Sequence, residues 1–250
     1  MSRYVKIEEQ GSIAIVRLDR PPANAIDREL LRESHDILDE LGALEPDAVV
    51  LTGREGFFSA GADLKAVPTL DAEGQREMVT GINRLVAGWY GFPRPVVCAV
   101  NGHAIAGGLV LALCGDYRVG ATAGKLGLTE LRVGIPYPAA AMAIVRAELS
   151  PPAARRLTLE AELVDPPTAL SLGILDELVD PSSVVPRALE VAARLGEMPS
   201  SGYAAVKKQL RGDIVAALET IAAEGTDPMI EQWLLPETRE ASSAVLRSDS

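Results

Sequence analysis

Two short glycine-containing stretches hold the residue types with the clearest potential for chemistry. Residues 57–64 read FFSAGADL and residues 101–108 read NGHAIAGG, and each is predicted to connect a strand to a helix. Small residues at Ala62 and Gly107 would let a ligand carbonyl approach the backbone. The first turn of a helix also presents unpaired N–H groups at the positive end of its dipole. The two stretches together predict a two-part oxyanion hole for an enolate oxygen.

Either stretch alone is more often a packing or turn device, because glycine-rich turns between strands and helices are common. Their joint occurrence resembles the enoyl-CoA hydratase/isomerase (crotonase) superfamily, whose members are similar to SAGADL in the first stretch and NGxxxGG in the second. The resemblance extends to residues 22–26 (PANAI), 127–136 (GLTELRVGIP) and 172–179 (LGILDELV). The chain is thereby identified as similar to this superfamily along most of its length.

The resemblance implies an α/β fold, a spiral of ββα units followed by C-terminal helices that build trimers, often stacked as hexamers. We therefore expect a catalytic core over residues 1–195 and a helical region over residues 196–250. No internal repeat is visible in the sequence, so the spiral rests on the resemblance and not on periodicity.

The resemblance also assigns roles to three residues. The backbone N–H groups of Ala62 and Gly107 are the expected oxyanion donors, and Glu130 is the expected proton carrier. Hydratases of the family resemble one another in using two glutamates, and an ungapped comparison from Gly107 places Val110 at the first and Glu130 at the second. A valine cannot exchange a proton. The pattern is similar to that of mitochondrial-type enoyl-CoA isomerases, which also have an apolar residue there.

The expected reaction is conversion of a 3-enoyl-CoA to a 2-enoyl-CoA, with Glu130 carrying a proton from C2 to C4. Coenzyme A is then part of the substrate, and neither a metal nor a separate cofactor is expected. One alternative is an enoyl-CoA hydratase that uses Glu130 and an unidentified second group. Another is a catalytically silent acyl-CoA-binding protein. Decarboxylation, thioester hydrolysis and carbon–carbon cleavage share the same oxyanion hole and stay open.

Further candidates line the expected substrate path. The predicted substrate-binding residues are Ala23, Ala60, Asp63, Leu64, Lys65, Val110 and Tyr137. Lys65 is a candidate for the coenzyme phosphates, although most lysines are simply solvated. Asp63 is predicted to be a helix cap or a loop anchor. Tyr137 lies in a turn with two prolines and is predicted to form a wall of the acyl pocket. His103 is expected to have a structural hydrogen-bonding role, and burial is expected to raise the pKa of Glu130.

The amino-acid composition disfavours some classes of binding partner. The chain has 250 residues, of which 24 are basic and 35 acidic, giving a net charge of −11 that disfavours nucleic acid. Its two cysteines, Cys98 and Cys114, lie in apolar runs and suggest neither a disulfide framework nor a metal site. The most apolar stretch, residues 104–114, is shorter than the about 20 residues that cross a bilayer. We expect a soluble, cytoplasmic protein without a signal peptide.

The elements that position these residues alternate between strand and helix, which indicates the α/β class. Residues 13–18, 48–51 and 96–100 are short apolar runs typical of buried strands. Asp27 is placed to cap a helix whose leucines recur at helical spacing up to Leu44. Four helical stretches follow, over residues 184–195, 203–210, 214–223 and about 233–246. Asp116 and Arg118 are expected to make internal polar contacts.

Overall fold

Strands of the chain are shared between two sheets in the computed structural model, which describes residues 2–63 and 65–235. The first sheet has the order β1-β2-β3-β5-β7-β10 and the second β4-β6-β8-β9. The strands are β1 (Val5–Gln10), β2 (Ile13–Leu18), β3 (Ala48–Thr52), β4 (Gly56–Ser59), β5 (Val96–Val100), β6 (Gly102–Ile105), β7 (Tyr117–Ala121), β8 (Leu126–Gly127), β9 (Leu163–Val164) and β10 (Glu177–Val179).

Helices follow these strands in a repeated order. They are α1 (Arg28–Leu44), α2 (Ala72–Gly91), α3 (Gly107–Leu113), α4 (Ala139–Glu148), α5 (Pro151–Thr158), α6 (Pro166–Ser171), α7 (Val184–Gly196), α8 (Ser200–Glu224) and α9 (Ile230–Trp233). Short 3-10 helices cover Val67–Thr69, Glu130–Val133 and Pro181–Ser183. The repeated unit is two strands, one in each sheet, followed by a helix. This order occurs as β3-β4-α2 and as β5-β6-α3, and strands β7 and β8 again belong to different sheets. The expected α/β spiral of ββα units is confirmed.

Strands β2, β3 and β5 of the first sheet are buried on both faces, which explains why they are nearly continuous apolar runs. One face packs against α7 through Val184, Ala188 and Val191, and the other faces the main core. All neighbours from β2 to β10 pair in parallel, and only β1 joins β2 antiparallel. Parallel strands covered on both sides carry apolar residues at every position. The predicted strands at 13–18 and 96–100 have the predicted bounds, and the one at 48–51 extends to Thr52.

The structure tests several of the predicted helix ends. Asp27 caps α1 by accepting the Leu30 N–H at 2.8 Å, as expected, although Leu44 at the end of that helix is 39% exposed. The separate stretches predicted at 203–210 and 214–223 are wrong as two helices. They form the single helix α8, since Arg211 to Asp213 interrupt the apolar pattern without breaking the backbone. The last predicted stretch, at about 233–246, overlaps α9 only at Trp233, where α9 ends. Residues 236–250 lie outside the described residues.

A buried ionic cluster fixes α8 on the core. Asp116 accepts hydrogen bonds from the Val96 N–H and the Lys207 ammonium, and its other oxygen lies 2.9 Å from Arg211 Nη1. Arg211 also donates to the Cys114 carbonyl. The side chains of Asp116, Lys207 and Arg211 are between 6 and 10% exposed. The expected internal contacts of Asp116 are therefore confirmed, and they hold the C-terminal helix to β5 and to the end of α3.

Arg118 takes part in the same region. Its guanidinium lies 3.2 Å from an oxygen of Asp176 and 3.7 Å from one of Glu148, so its expected internal contacts are also confirmed. Cys98 and Cys114 are free and fully buried nearby, and burial raises the pKa of both thiols. Both cysteines therefore act as small apolar side chains.

The ionic cluster yields a stability prediction. Asp116→Asn leaves the buried charge of Lys207 without a counter-charge and leaves Arg211 with Glu148 alone, 3.4 Å away, and breaking a buried pair in this way costs about 3–5 kcal/mol. We expect a loss of that size in the free energy of unfolding, measured by urea denaturation. The matched control is Glu190→Gln, which removes the exposed Arg187–Glu190 pair and should change the stability by less than about 1 kcal/mol. Equal effects of the two substitutions would contradict the role of the cluster.

Candidate active site

A cavity of about 290 Å³ lies between the second sheet, α2, α3 and the segment around Glu130. Its walls are mostly apolar, and they include the small residues of both glycine-containing stretches. The lining residues are Ile26, Ala60, Ala62, Ile82, Leu85, Val86, Ile105, Ala106, Gly107, Val110, Leu111, Thr129, Glu130, Arg132, Val133, Ile135, Pro138, Ala141, Leu163 and Trp233. Ala62, Gly107, Val110 and Glu130, which are far apart in the sequence, thus face one space.

The two stretches meet backbone to backbone at one wall of this cavity. Gly61 has a φ of +77°, and a Cβ built on it would lie 2.8 Å from the Gly107 nitrogen. A Cβ on Gly107 would lie 3.7 Å from the Gly61 Cα and 3.9 Å from the Ala62 nitrogen. A glycine at 61 is required both by the positive φ and by this close approach. The backbone nitrogens of Ala62 and Gly107 are thereby brought to the same wall.

The backbone hydrogen bonds around this contact use neither the Ala62 N–H nor the Gly107 N–H. Ile26 forms a parallel bridge beside Ala62, donating to the Gly61 carbonyl at 2.7 Å and accepting from the Asp63 N–H at 2.8 Å. This pattern skips the Ala62 N–H. Gly107 is the first residue of α3, where backbone N–H groups have no acceptor within the helix. Both groups are therefore available to a ligand oxygen at the cavity wall.

Backbone strain is present at the same place. Ala106 has φ 53° and ψ −129°, a region that residues with a side chain rarely adopt. Such a conformation costs about 1–3 kcal/mol and persists only when the surroundings impose it. Here the Ala106 N–H donates to the Gly127 carbonyl at 2.8 Å, and its own carbonyl accepts from Leu109 at 2.9 Å. These bonds hold the turn that presents the Gly107 N–H.

The first stretch does not lead into a helix, contrary to the prediction. Residues 65 and 66 form a turn, the 3-10 helix Val67–Thr69 follows, and α2 begins only at Ala72, where Asp71 is the cap. The reason is Asp63, whose carboxylate accepts the N–H groups of Lys65 and Ala66 and closes a turn instead. Helix-dipole stabilisation therefore applies at Gly107 and not at Ala62.

A buried asparagine joins the first stretch to the segment that precedes α1. The Asn24 amide donates to the carbonyls of Leu18, Phe57 and Phe58, and the Ser59 hydroxyl donates to the Asn24 carbonyl at 2.8 Å. Asn24 is fully buried with a φ of 51°, a conformation that asparagine tolerates better than most residues. This residue belongs to the quoted PANAI motif, but its part in holding β4 was not predicted.

Glu130 opens a 3-10 helix that ends at Gly134, whose φ is +67°. The side chain is 9% exposed and lines the cavity, and its Oε2 atom has no hydrogen-bond partner among the described residues. Burial raises the pKa of Glu130 to about 7, against the smaller opposing effects of its own backbone N–H and of Tyr137. Near neutral pH this carboxyl group can therefore both accept and release a proton.

Some of the other predicted substrate-binding residues line the cavity, and others hold the backbone next to it. Ala60 and Val110 line the cavity. Ala23 instead accepts the Ala60 N–H through its carbonyl, at 2.9 Å. Asp63 is a loop anchor that also pairs with Arg20 at 2.9 Å, and Lys65 is exposed. Leu64 lies outside the described residues.

Tyr137 and His103 differ from their expected positions. Tyr137 is not among the described lining residues, and its hydroxyl donates to the Leu128 carbonyl at 3.1 Å. His103 has no side-chain hydrogen bond among those of the described chain, so the expected hydrogen-bonding role is wrong. Its ring stacks on Phe57 with 4.8 Å between the centroids, outside the cavity. The role is still structural.

The C-terminal segment contributes a wall that sequence reasoning missed. Trp233 lines the cavity, and its indole N–H donates to the Pro136 carbonyl at 2.9 Å. Asp227 accepts hydrogen bonds from Asn83 of α2 at 2.7 Å and from the Ala139 N–H of α4 at 2.8 Å. These contacts join positions 88 to 144 residues apart, and no local pattern in the sequence signals them.

The sequence of this chain matches one protein family over nearly all the described residues. Residues 8–232 match the model described as enoyl-CoA hydratase/isomerase, a span that includes both glycine-containing stretches and Glu130. The chain belongs to the enoyl-CoA hydratase/isomerase family. As a member of this family it is an enzyme of the crotonase superfamily. No helix in residues 2–63 or 65–235 has the length and apolar character needed to span a membrane.

Relatives within the enoyl-CoA hydratase/isomerase family include proteins described by either reaction. The chain is 33% identical over 219 residues to a probable enoyl-CoA hydratase, EchA17, of Mycobacterium tuberculosis, covering 86% of this chain and 84% of that protein. An apo structure of an enoyl-CoA isomerase from Mycobacterium tuberculosis is 32% identical, with a TM-score of 0.83 over 90% of this chain and 98% of that one. Human mitochondrial Δ3-Δ2-enoyl-CoA isomerase is 26% identical, with a TM-score of 0.90 over 98% of both chains.

The backbone contact at the cavity wall can be tested with two neighbouring glycines. A Cβ on Gly108 would lie 2.2 Å from the Ser59 carbonyl oxygen, whereas a Cβ on Gly107 meets its neighbours at ordinary distances. We expect Gly108→Ala to lower the free energy of unfolding by about 1–3 kcal/mol or more through overpacking. Gly107→Ala should stay within about 1 kcal/mol of the natural protein. Denaturant unfolding of both variants measures the difference, and similar losses would contradict the geometry.

Burial of Glu130 predicts a pH-dependent stability effect. Its pKa is raised from 4.5 unfolded to about 7 folded, so the folded state binds the extra proton between these values. The corresponding stability is present below about pH 4.5 and is lost as the pH rises through about 7, by roughly 3 kcal/mol in total. We expect Glu130→Gln to be as stable as the natural protein at pH 5 and more stable at pH 8. Unfolding curves at both pH values check this, and a pH-independent difference would contradict it.

Proposed function

We propose that this enzyme moves the double bond of a 3-enoyl-CoA thioester to the 2-position, with Glu130 as the proton carrier. The observation that supports this proposal is that Glu130, Ala62 and Gly107 line the same mostly apolar cavity. An α-proton of a thioester becomes acidic when donors already in place hold the carbonyl oxygen on which negative charge develops. The three groups supply the donors and the base that such a reaction needs.

The proposed sequence of proton transfers needs one carboxyl group. The thioester oxygen accepts hydrogen bonds from Ala62 N–H and Gly107 N–H, and the Glu130 carboxylate removes a proton from C2. The electrons of the C2–H bond form a dienolate that spans C1 to C4, with its charge on the oxygen. The protonated Glu130 then returns the proton to C4, so the double bond lies between C2 and C3. The atoms and charges of this sequence balance, and Glu130 returns to its starting state, without a metal, an oxidant or water.

The raised pKa of Glu130 suits both halves of this sequence. A general acid–base group is most effective when its pKa lies near the working pH, since it must take a proton and then release it. A carboxyl group with an ordinary pKa would be a weak base toward the α-carbon and would return its proton to water. The apolar walls formed by Val110, Leu85 and Ile135 produce the shift and exclude competing water.

Hydration of a 2-enoyl-CoA is the second candidate function, because EchA17 is described as a probable hydratase. A hydratase that works with paired carboxylates needs a second acid to position and activate water. Glu130 is the one carboxylate among the described residues that line the cavity, and Val110 stands where the first of the two glutamates is expected. This arrangement favours isomerisation. A silent acyl-CoA-binding role is disfavoured because Glu130 is buried in the cavity and does not face solvent.

The remaining parts of the proposal concern binding and assembly. We propose that the substrate contacts Ala60 and Val110 in the cavity and the exposed Lys65 on the coenzyme side. Coenzyme A is then part of the substrate, and no separate cofactor is proposed. We further propose a homotrimer or a hexamer assembled through the helical region over residues 196–250, beside a core over 1–195. The exposed apolar side chains of Val206 and Leu210 on α8 support this assembly.

The test compares two reactions in two proteins. Purified natural protein should convert a 3-enoyl-CoA to the 2-enoyl isomer with negligible hydration of a 2-enoyl-CoA. Glu130→Gln should lower the rate of double-bond migration by at least about 10²–10³-fold, because Glu130 is the one carboxylate among the described residues that line the cavity. Glu224→Gln, an exposed glutamate at the end of α8, is the matched control and should leave both rates unchanged. Brisk hydration without migration would overturn the proposal in favour of the hydratase.

A further inference from the structure

A single aromatic side chain, that of Trp233, lines the cavity among the described residues. Trp233 is 5% exposed and lies on α9, where the neighbouring Glu231 and Gln232 are exposed. Helix α9 therefore has one side on the cavity and the other at the surface of the described chain. Since tryptophan has the largest side chain, Trp233 closes more of the cavity on this side than a smaller residue could.

Hydrogen bonds fix this wall at two points. The indole N–H of Trp233 donates to the Pro136 carbonyl at 2.9 Å. Before α9, the buried carboxylate of Asp227 accepts hydrogen bonds from the Asn83 side chain of α2 at 2.7 Å and from the Ala139 N–H of α4 at 2.8 Å. Displacing α9 would leave these buried polar groups unpaired, which is costly. A wall held in this way can stop a longer acyl chain, whereas a loose segment would yield to it.

The walls away from Glu130 suit a plain hydrocarbon chain. The hydroxyl-bearing and charged side chains that line the cavity in the described chain are those of Thr129, Glu130 and Arg132, all in one segment. The lining residues of α2 and α4 are apolar, and they are Ile82, Leu85, Val86 and Ala141. A hydroxyl or carboxyl group on the acyl chain would lose its hydrogen bonds to water there without gaining others.

The size of the cavity indicates a chain length. A cavity of about 150 Å³ holds the six carbons of benzene, so the cavity of about 290 Å³ has room for about twelve heavy atoms. The oxygen and sulfur of a thioester occupy part of this space. An acyl group of about ten carbons then fills the rest.

We propose that Trp233 limits the length of the acyl chain, so that the enzyme takes unsubstituted enoyl-CoA thioesters of about ten carbons or fewer. The chain extends from the thioester group at Ala62 and Gly107 along the apolar residues of α2 and ends against the indole ring. The proposal rests on the proposed function, because it takes an acyl-CoA thioester as the ligand of this cavity. Trp233 does not touch the reacting atoms and acts on specificity alone.

The experiment measures binding of saturated acyl-CoA thioesters, which have no double bond to move, by isothermal titration calorimetry. Chain lengths run from about four to about fourteen carbons. With the natural protein, the affinity should rise about fourfold for each added methylene and stop rising at about ten carbons. In Trp233→Ala the rise should continue, so that a thioester about two carbons beyond the limit binds on the order of tenfold more tightly than to the natural protein. Trp233→Phe should give a smaller shift in the same direction.

Ile230→Ala is the matched control. Ile230 is buried on the same helix but is not among the described residues that line the cavity, so this variant weakens the packing of α9 and leaves the indole ring in place. It should keep the length limit of the natural protein. Trp89, the other tryptophan of the chain, is buried in the core, and its fluorescence reports whether the Trp233 variants are folded. If Trp233→Ala does not fold, Trp233→Phe decides by the same criterion.

A length limit that moves in Trp233→Ala and stays in Ile230→Ala supports the proposal. It is overturned if the natural protein has no limit, if neither Trp233 variant moves it, or if Ile230→Ala moves it as far as Trp233→Ala does. Absence of acyl-CoA binding overturns it together with the proposed substrate class. A natural protein that shows the limit but moves no double bond contradicts the proposed reaction alone.

Discussion

The backbone of residues 59–62 lies directly against the start of α3, and the catalytic geometry depends on this contact. Gly61 allows it because a Cβ there would lie 2.8 Å from the Gly107 nitrogen, and Gly108 fits because a Cβ there would lie 2.2 Å from the Ser59 carbonyl oxygen. The contact joins two ββα units whose strands β4 and β6 pair in the second sheet. It brings the backbone nitrogens of Ala62 and Gly107, the proposed oxyanion donors, to one wall, and donors fixed in advance need no reorganisation when charge develops on a bound oxygen.

Burial of Glu130 opposite this wall follows from the same packing. A carboxyl group surrounded by Val110, Leu85 and Ile135 has a raised pKa, since little solvent remains to stabilise its charge. The buried charge of Glu130 lowers the stability of the protein at neutral pH, and the raised pKa suits the role of proton carrier that we propose for this residue. Strain at Ala106 is a second instance in which the site departs from the most stable local structure.

The C-terminal segment completes the cavity from the far end of the chain. Trp233 covers the cavity, and the buried carboxylate of Asp227 holds this segment against α2 and against the start of α4. Pro138 offers no side-chain cap to α4, so Asn83 and Asp227 accept the N–H groups of Ala140 and Ala139 instead. The turn between Glu130 and α4 is therefore fixed by elements distant in sequence, and helix α8 is anchored by the Asp116 cluster.

Local patterns in the sequence determined much of this protein. Apolar runs gave the strands at 13–18 and 96–100, Asp27 marked the start of α1, and the two glycine-containing stretches with Glu130 indicated the family and the reacting groups. Local patterns failed where a distant or competing contact decides the outcome. Asp63 closes a turn in place of a helix, His103 stacks on Phe57, and the Tyr137 hydroxyl donates to the Leu128 carbonyl. The cavity wall formed by Trp233 was decided only by the tertiary structure, and so was the extent of burial that brings the pKa of Glu130 to about 7, although the direction of that shift was predicted from the sequence. Both arise from packing between segments far apart in the chain, which no local spacing of residues encodes.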